Sequence, residues 1–345
     1  MKKFLAMLLA ATMVVGLVGC GGSGDSAESS APASAEGESS DLEEISVVLD
    51  WYPNAIHTFM YVAQEKGYFA EEGLDLKVQF PANTNDGISM PAAGKADIGM
   101  YYLHDAIITS VEEDVPIVSI GAVTQSMLNV FIALDESGVK GPEDLAGKKI
   151  GYGGTALSEE LTKQTLENVG LSAEDCEFVD VGFDLMTAMT TEQVDATIGG
   201  LINHEVPQLE EEGFTVNYFS PTDYGVPQNY ELVFLANEDA INDNPEKYKG
   251  FLRACQKGFE FMKENPEEAL QILLDNQNEE NFPLSKTVET KSMEVLLPIM
   301  ETADAPFLSQ DVAVWQENAD WLADRGLLKE KTDVSSICVN LLDEE

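Results

Sequence analysis

The amino-acid sequence predicts an α/β fold made of two lobes. Short runs of apolar, strand-forming residues alternate with segments of helical period from Ile45 onward, which is typical of mainly parallel sheets connected by helices. The alternation restarts at the turn over residues 141–145, so we expect two such units in one chain. The segment from Glu43 to the C-terminus, about 300 residues, is long enough to bury two cores.

The first unit begins with a predicted strand over 45–49. A helix over 55–70 follows, because apolar side chains such as Phe59 and Val62 recur at helical spacing. Its other strands are predicted at 74–80, 96–100, 117–123 and 130–134, with helices at 87–93 and 104–112. We assign residues 43–137 to the first part of lobe 1.

The second unit repeats the alternation. Strands are predicted at 149–152, 177–181, 196–199 and 215–219, and helices at 158–169, 185–190 and 204–212, so residues 138–225 form lobe 2. The run from Leu232 to Ala236 predicts a strand that returns to lobe 1. Helix starts at Asn244-Pro245 and Asn265-Pro266 follow it, and residues 226–345 therefore complete lobe 1.

The N-terminal residues have a different composition. Lys2 and Lys3 precede an apolar run over 4–18, which is typical of a secretory signal peptide and short for a membrane span. The run ends in Leu17-Val18-Gly19-Cys20, which resembles the lipobox of bacterial lipoproteins. We therefore predict a signal peptide over 1–19 and a lipidated Cys20; a buried cysteine ending a membrane helix is the alternative. Residues 20–42, small and polar, predict a flexible tether.

The chain is strongly acidic, with 62 Asp and Glu against 19 Lys and Arg and a net charge of −43. This charge excludes nucleic acid as a partner and predicts contact with a membrane through the lipid anchor only. Because the acids are spread along the chain, they favour a solubilising surface over a cation site. The three histidines and the cysteines after Cys20 lack metal-ligand spacing, so we predict no metal and no cofactor.

The loop over residues 50–54 is the first candidate binding segment. It follows a predicted strand end, where ligands bind in open α/β sheets, and Trp51 offers a flat apolar face to a ring. The polar neighbours Asn54 and His57 favour ligand contact, whereas the alternative is that Trp51 caps the core. Tyr101 and Tyr102 follow another strand end, and at most one of them should face a cleft.

Three further segments follow strand ends or approach the cleft. The backbone amides of Gly153, Gly154 and Thr155 precede a helix and could bind a neutral ligand edge or, alternatively, an anion.

Asn203 and Glu205 open another helix. Asn203 could cap it with Glu205 as a first-turn acid, or Glu205 could accept hydrogen bonds from an amino-substituted heterocycle. Tyr224 lies in a turn just before the return strand, near the expected cleft mouth.

Several stretches resemble one family. Residues 49–54, 61–69, 94–99, 145–152, 203–205 and 223–227 resemble, in this order, the ThiY-type solute-binding proteins of the type 2 periplasmic-binding superfamily. The resemblance implies two lobes that are joined by a two-strand hinge and close over a ligand in the cleft between them. It also implies an ABC transporter permease as partner and a place on the extracytoplasmic face of the bacterial cell membrane.

The resemblance also implies roles for single residues. Trp51 would stack on the ligand ring, Asn54 and His57 would line the same wall, and Glu205 would pair with an aminopyrimidine edge. Residues 153–155 would contribute contacts from lobe 2, and Tyr102, Asn203 and Tyr224 complete the predicted site.

The implied solute is a pyrimidine precursor of thiamine, with riboflavin, a sulfonate or another small solute as alternatives. A related branch synthesises the pyrimidine by consuming its own active-site residues, but its cysteine-rich run is absent here. We therefore predict a monomeric binding protein and not an enzyme.

Overall fold

A computed structural model describes residues 42–83, 85–113, 115–182, 184–277 and 283–342. The predicted signal peptide, Cys20 and all but the last residue of the predicted tether lie outside the described residues. Within the described ranges, no helix is long and apolar enough to cross a membrane.

The strands are short, with four to six residues each. They are β1 (Glu43–Val48), β2 (Leu74–Gln79), β3 (Ile98–Tyr102), β4 (Ile117–Ala122), β5 (Asn129–Leu134), β6 (Lys149–Tyr152), β7 (Glu177–Asp180), β8 (Ala196–Leu201), β9 (Val216–Phe219) and β10 (Leu232–Asn237).

The α-helices separate most of these strands and make up most of the chain after β10. They are α1 (Thr58–Glu65), α2 (Tyr68–Glu71), α3 (Asp86–Ala92), α4 (Leu103–Glu112), α5 (Ala156–Asn168), α6 (Leu185–Thr190), α7 (Glu205–Glu211), α8 (Glu238–Asp243), α9 (Pro245–Glu264), α10 (Pro266–Asp275), α11 (Lys286–Met300) and α12 (Val312–Asp324).

The strands form two five-stranded sheets, with the orders β2-β1-β3-β10-β4 and β7-β6-β8-β5-β9. Each sheet is covered on both faces by apolar clusters. Along β10, for example, Phe234 packs into one cluster while Val233 and Leu235 pack into the other, as the alternation of a strand requires. The predicted two-lobe α/β fold is confirmed.

Two details differ from the sequence prediction. The sheets are mixed, because β10 runs antiparallel to β3 and β4, and β5 runs antiparallel to β8 and β9. These two strands enter their sheet directly from the other sheet, without the helical crossover that a parallel neighbour needs. The strand predicted at 130–134 is β5 and pairs in the second sheet, so its assignment to lobe 1 was wrong.

The helix predicted over 55–70 is also interrupted. A 3-10 turn, Ala55–His57, precedes α1, and α1 ends before Gly67, whose φ of 79° is left-handed. Glycine adopts this conformation at little cost, so the chain turns there and starts α2 in a new direction.

Two segments, 123–128 and 225–231, connect the sheets and are cross-braced by side chains. The Thr124 hydroxyl accepts the N–H groups of Glu231 and Leu232 at 3.0 and 3.3 Å. In return, one carboxylate oxygen of Glu231 accepts the N–H groups of Leu128 and Asn129 at 2.8 and 3.0 Å. These hydrogen bonds therefore fix the two connecting segments relative to each other.

Candidate functional site

The loop after β1 is held by side-chain acceptors at three consecutive backbone N–H groups. His57 Nδ1 accepts the N–H of Asn54 at 3.1 Å, Glu289 Oε2 accepts that of Ala55 at 2.7 Å, and Asn54 Oδ1 accepts that of Ile56 at 3.1 Å. These donors would otherwise be unsatisfied at the start of the turn. The loop conformation is therefore fixed from several directions.

His57 is part of this support and not of the cavity wall. Its side chain is 0% exposed, and because Nδ1 accepts a hydrogen bond, the proton lies on Nε2, 2.8 Å from Asp50 Oδ1. Both ring nitrogens are thus engaged. We expected His57 to line the cavity wall. It instead lies behind the wall and supports the loop.

Trp51 lies on the wall of a cavity. The indole is 45% exposed, and its edge contacts Tyr52 with 5.8 Å between ring centroids. The cavity has a volume of about 350 Å³. It is bounded by the 51–54 loop, by one face of α7 and by the beginning of α11, with the lining residues Trp51, Tyr52, Pro53, Asn54, His204, Gln208, Glu211, Pro283, Leu284, Ser285, Val288 and Glu289.

The cavity therefore joins the two lobes, because the Trp51 loop extends from the first sheet and α7 follows β8 of the second. The structure brings Trp51 and Asn54 to this cavity. Asn203 and Glu205 lie on either side of the cavity-lining residue His204, in the segment that enters α7. The alternative in which Trp51 caps the core is not compatible with its exposure.

Asn203 and Glu205 both have structural contacts. Asn203 is 2% exposed and donates to the Ser292 hydroxyl at 3.3 Å, while its Oδ1 has no hydrogen-bond partner within the described residues. It does not cap α7, since His204 occupies the position before this helix. Glu205 accepts the Leu201 N–H at 2.7 Å and lies 3.1 Å from His204 Nδ1.

Glu205 and His204 shift each other's pKa toward the charged form. Burial raises the pKa of Glu205, but the hydrogen bond and charge of His204 and the Leu201 N–H outweigh it and lower the pKa overall. Burial lowers the pKa of His204, but its hydrogen bond with Glu205 and the charges of Glu205 and Glu289 raise it overall. An ionised carboxylate of this kind is a strong acceptor for N–H groups.

Tyr101 and Tyr102 pack against different apolar clusters, although their ring centroids lie only 4.9 Å apart. Tyr101 packs with the cluster beneath α4 and α12, and Tyr102 packs with the cluster that also contacts Leu201 and Ile202 of the second lobe. Burial raises the pKa of Tyr102 well above its usual value, and the charges of Asp50 and Glu231 add to this.

Two carboxyl groups beside Tyr102 have elevated pKa values. Burial raises the pKa of Glu231 to about 7, with Asp105 and Asp50 contributing, and burial raises the pKa of Asp105 to about 6. This region between the lobes thus holds carboxyl groups that change charge near neutral pH.

The remaining predicted site residues lie on the second lobe. Gly153, Gly154 and Thr155 are exposed at the start of α5, where the Thr155 hydroxyl oxygen accepts the Ser158 N–H at 3.1 Å. Tyr224 instead packs edge-on against Phe219 with ring centroids 5.9 Å apart, within the second-lobe cluster. None of these four residues lines the cavity beside Trp51.

Sequence reasoning missed Glu289, Glu231 and Asp105. Each is one acid among 62, with no spacing pattern to distinguish it. A weak signal existed for Glu231 alone, because it stands immediately before a fully apolar strand, where an acid needs a specific partner.

The fold matches that of a known class of proteins. The fold is that of periplasmic solute-binding proteins, and the periplasmic aliphatic sulphonate binding protein SsuA from Escherichia coli superposes with a TM-score of 0.68. That likeness covers 86% of this chain and 97% of SsuA at 16% sequence identity. A family model described as NMT1/THI5 like matches residues 54–269, and the chain belongs to this family.

Two relatives show the range of proteins to which this chain is similar. A formylaminopyrimidine-binding protein from Halalkalibacterium halodurans is 44% identical over 281 residues, which are 81% of this chain and 85% of the relative. A 4-amino-5-hydroxymethyl-2-methylpyrimidine phosphate synthase from Legionella pneumophila is 27% identical over 252 residues, 72% of this chain and 78% of the synthase. The resemblance drawn from the sequence is confirmed.

Proposed function

We propose that this chain is the solute-binding component of an ABC importer and that its solute is a thiamine-related aminopyrimidine of the formylaminopyrimidine type. The observation that carries the proposal is the half-exposed indole of Trp51 on the wall of an interlobal cavity of about 350 Å³. A flat heterocycle gains both apolar burial and ring stacking on such a surface. The 44% identity to a formylaminopyrimidine-binding protein supports the same solute class.

The polar groups around the cavity favour a ligand that donates hydrogen bonds. The carboxylate of Glu205 is ionised beside His204, and Glu211 lines the cavity itself. An aminopyrimidine presents N–H donors at its rim, which these acceptors can bind. No lysine or arginine is present among the cavity-lining residues of the described chain, so a sulfonate would meet carboxylates without a lysine or arginine to pair with.

The N-terminal signals support a location. We propose that residues 1–19 are removed, that Cys20 carries the lipid, and that the tether holds the folded part at the extracytoplasmic face of the membrane. A monomer with a permease partner fits this arrangement. Mass spectrometry of the membrane-bound protein tests it: a lipid-modified N-terminal Cys20 is expected, and an intact Met1 would contradict it.

Tryptophan fluorescence tests the solute. Trp315 is fully buried and Trp321 nearly so, hence Trp51 is the tryptophan that a bound ring can quench. We expect saturable quenching with a formylaminopyrimidine and none with an alkanesulfonate or riboflavin. The matched control is Trp51→Phe, which should keep an aromatic surface and binding by calorimetry but lose the quenching.

Two outcomes would contradict the proposal. One is saturable quenching by the sulfonate or by riboflavin with no response to the aminopyrimidine. The other is formation of a pyrimidine product when the protein is incubated with ferrous iron and pyridoxal phosphate, because this would make the chain an enzyme.

A further inference from the structure

We infer that Glu289 is a positioning residue, which holds the 50–57 loop so that Trp51 is preorganised for stacking. This inference rests on the proposed function, because it concerns the same cavity. It assigns a role to a residue that no motif in the sequence indicated.

The geometry of Glu289 carries the inference. Its side chain belongs to α11, is 2% exposed, and accepts the Ala55 N–H at 2.7 Å across 234 positions of sequence. Ala55 is itself fully buried, so without Glu289 its N–H would have no acceptor. The acceptors of the two neighbouring N–H groups, His57 and Asn54, belong to the loop itself. Glu289 is therefore the contact that ties the loop to a distant helix.

A buried carboxylate is a costly way to satisfy one N–H group. Burial raises the pKa of Glu289, and the Ala55 N–H and the charge of His204 act against this increase. The same residue lines the cavity beside Trp51 and Asn54. A carboxylate at this position, where an apolar side chain could fill the space, supports a role in fixing the loop conformation.

The helix that carries Glu289 also contacts the opposite wall of the cavity. Ser292 accepts a hydrogen bond from Asn203, and Lys291 forms an ion pair with Glu210 on α7 at 2.7 Å. Glu289 thus fixes the Trp51 loop relative to the second lobe and not only relative to its own lobe. Such a contact sets the separation of the two walls that would enclose a planar ring.

A double-mutant cycle separates positioning from general stability. The affinity for a formylaminopyrimidine is measured by calorimetry for Glu289→Ala and Glu289→Gln, each with Trp51 present and with Trp51→Ala. If Glu289 acts through Trp51, Glu289→Ala weakens binding about tenfold in the first background and has almost no further effect in the second. Glu289→Gln, which keeps an oxygen acceptor, should restore affinity to within about threefold of the wild type.

Glu294→Ala is the matched control, since Glu294 lies on the same helix and is exposed. Circular dichroism verifies folding, and Glu289→Asp, which keeps the charge but shortens the reach, replaces the alanine variant if that variant does not fold. Unchanged affinity in Glu289→Ala or Glu289→Asp, or an equal loss in both backgrounds, would overturn the inference. If Trp51→Ala weakens binding and the Glu289 variants do not, only the inference fails; if the wild type does not bind the aminopyrimidine, the proposed function fails and the inference with it.

Discussion

The guanidinium of Arg325 donates to both carboxylate oxygens of Glu167, at 2.8 and 3.2 Å, and its Nε donates to Glu160 at 2.8 Å. Arg325 directly follows α12, which packs against the first sheet together with α4, whereas both glutamates lie on α5 beside the second sheet. This forked contact therefore ties the two lobes together on the side of α5, while α11 and α7 tie them on the other.

Arg325→Gln should release the solute faster. Loss of a two-pronged, half-buried ion pair weakens the closed arrangement by about 1 kcal/mol, which corresponds to about a fivefold higher dissociation rate. Stopped-flow fluorescence measures this rate. Because salt screens the pair, the wild type should approach the variant at high ionic strength.

Lys329→Gln is the control for Arg325. Lys329 pairs with Glu112 on α4, so this change removes a cation without removing a contact between the lobes. A dissociation rate for Arg325→Gln equal to that of Lys329→Gln would show that the forked contact does not hold the lobes closed.

Glu231→Gln should change how stability depends on pH. Since burial raises the pKa of Glu231 to about 7, the folded protein holds a proton that the unfolded chain releases near its usual pKa of 4.5. The stabilisation from this group is complete below the unfolded pKa and is lost as pH rises through about 7. The variant should therefore lose less stability than the wild type between pH 4.5 and pH 7, by about 3 kcal/mol.

Urea unfolding at several pH values measures this difference. Asp105, with a pKa of about 6, and His104, whose burial lowers its pKa to about 4, titrate in the same range and are present in both proteins. The comparison therefore reports on Glu231 together with its electrostatic effect on Asp105. Parallel stability curves for the two proteins would contradict the assigned environment.

Gly258→Ala should destabilise the first lobe. A Cβ at this position would lie 2.1 Å from the Phe59 carbonyl oxygen and 2.9 Å from Ala63 Cβ, where α9 crosses α1. Overpacking of this kind costs about 1–3 kcal/mol, and the contact with backbone places it at the upper end. Because α1 begins where the Trp51 loop ends, solute affinity should fall as well.

Gly250→Ala on the same helix is the comparison. Its Cβ would meet Leu74 at 3.3 Å, a side chain that can adjust, and both substitutions gain about the same helix propensity. In thermal unfolding, the free energy of unfolding of Gly258→Ala should be about 2 kcal/mol lower than that of Gly250→Ala. Equal midpoints would mean that α9 and α1 are not packed this closely.

Local patterns predicted much of the fold. The strand at 232–236 and the two Asn-Pro helix starts correspond to β10, α9 and α10 within a residue or two, because hydrophobic period and capping residues act locally. The sheet to which β5 belongs was not predictable in this way. Its apolar run fits either sheet, and only the position of the connection at 123–128 decides between them.

The candidate site likewise includes residues that local patterns could predict and residues that they could not. Trp51 was predicted to contact the ligand because an aromatic residue at a strand end has few structural uses. His57 was misassigned because a polar residue beside such a loop can face either inward or outward, and burial is decided by the whole lobe. Glu289 could not be found, since its partner lies 234 positions away and hydrogen bonding at that separation leaves no local pattern.

Calorimetric titration of a formylaminopyrimidine into wild-type protein and Trp51→Ala tests the central claim most directly. Tyr218→Ala is the control, because Tyr218 is equally exposed on β9 and lies outside the cavity. We expect one bound solute per chain, a loss of about 1–3 kcal/mol of binding free energy for Trp51→Ala, and no loss for Tyr218→Ala. Identical dissociation constants for the wild type and Trp51→Ala would contradict stacking on the indole.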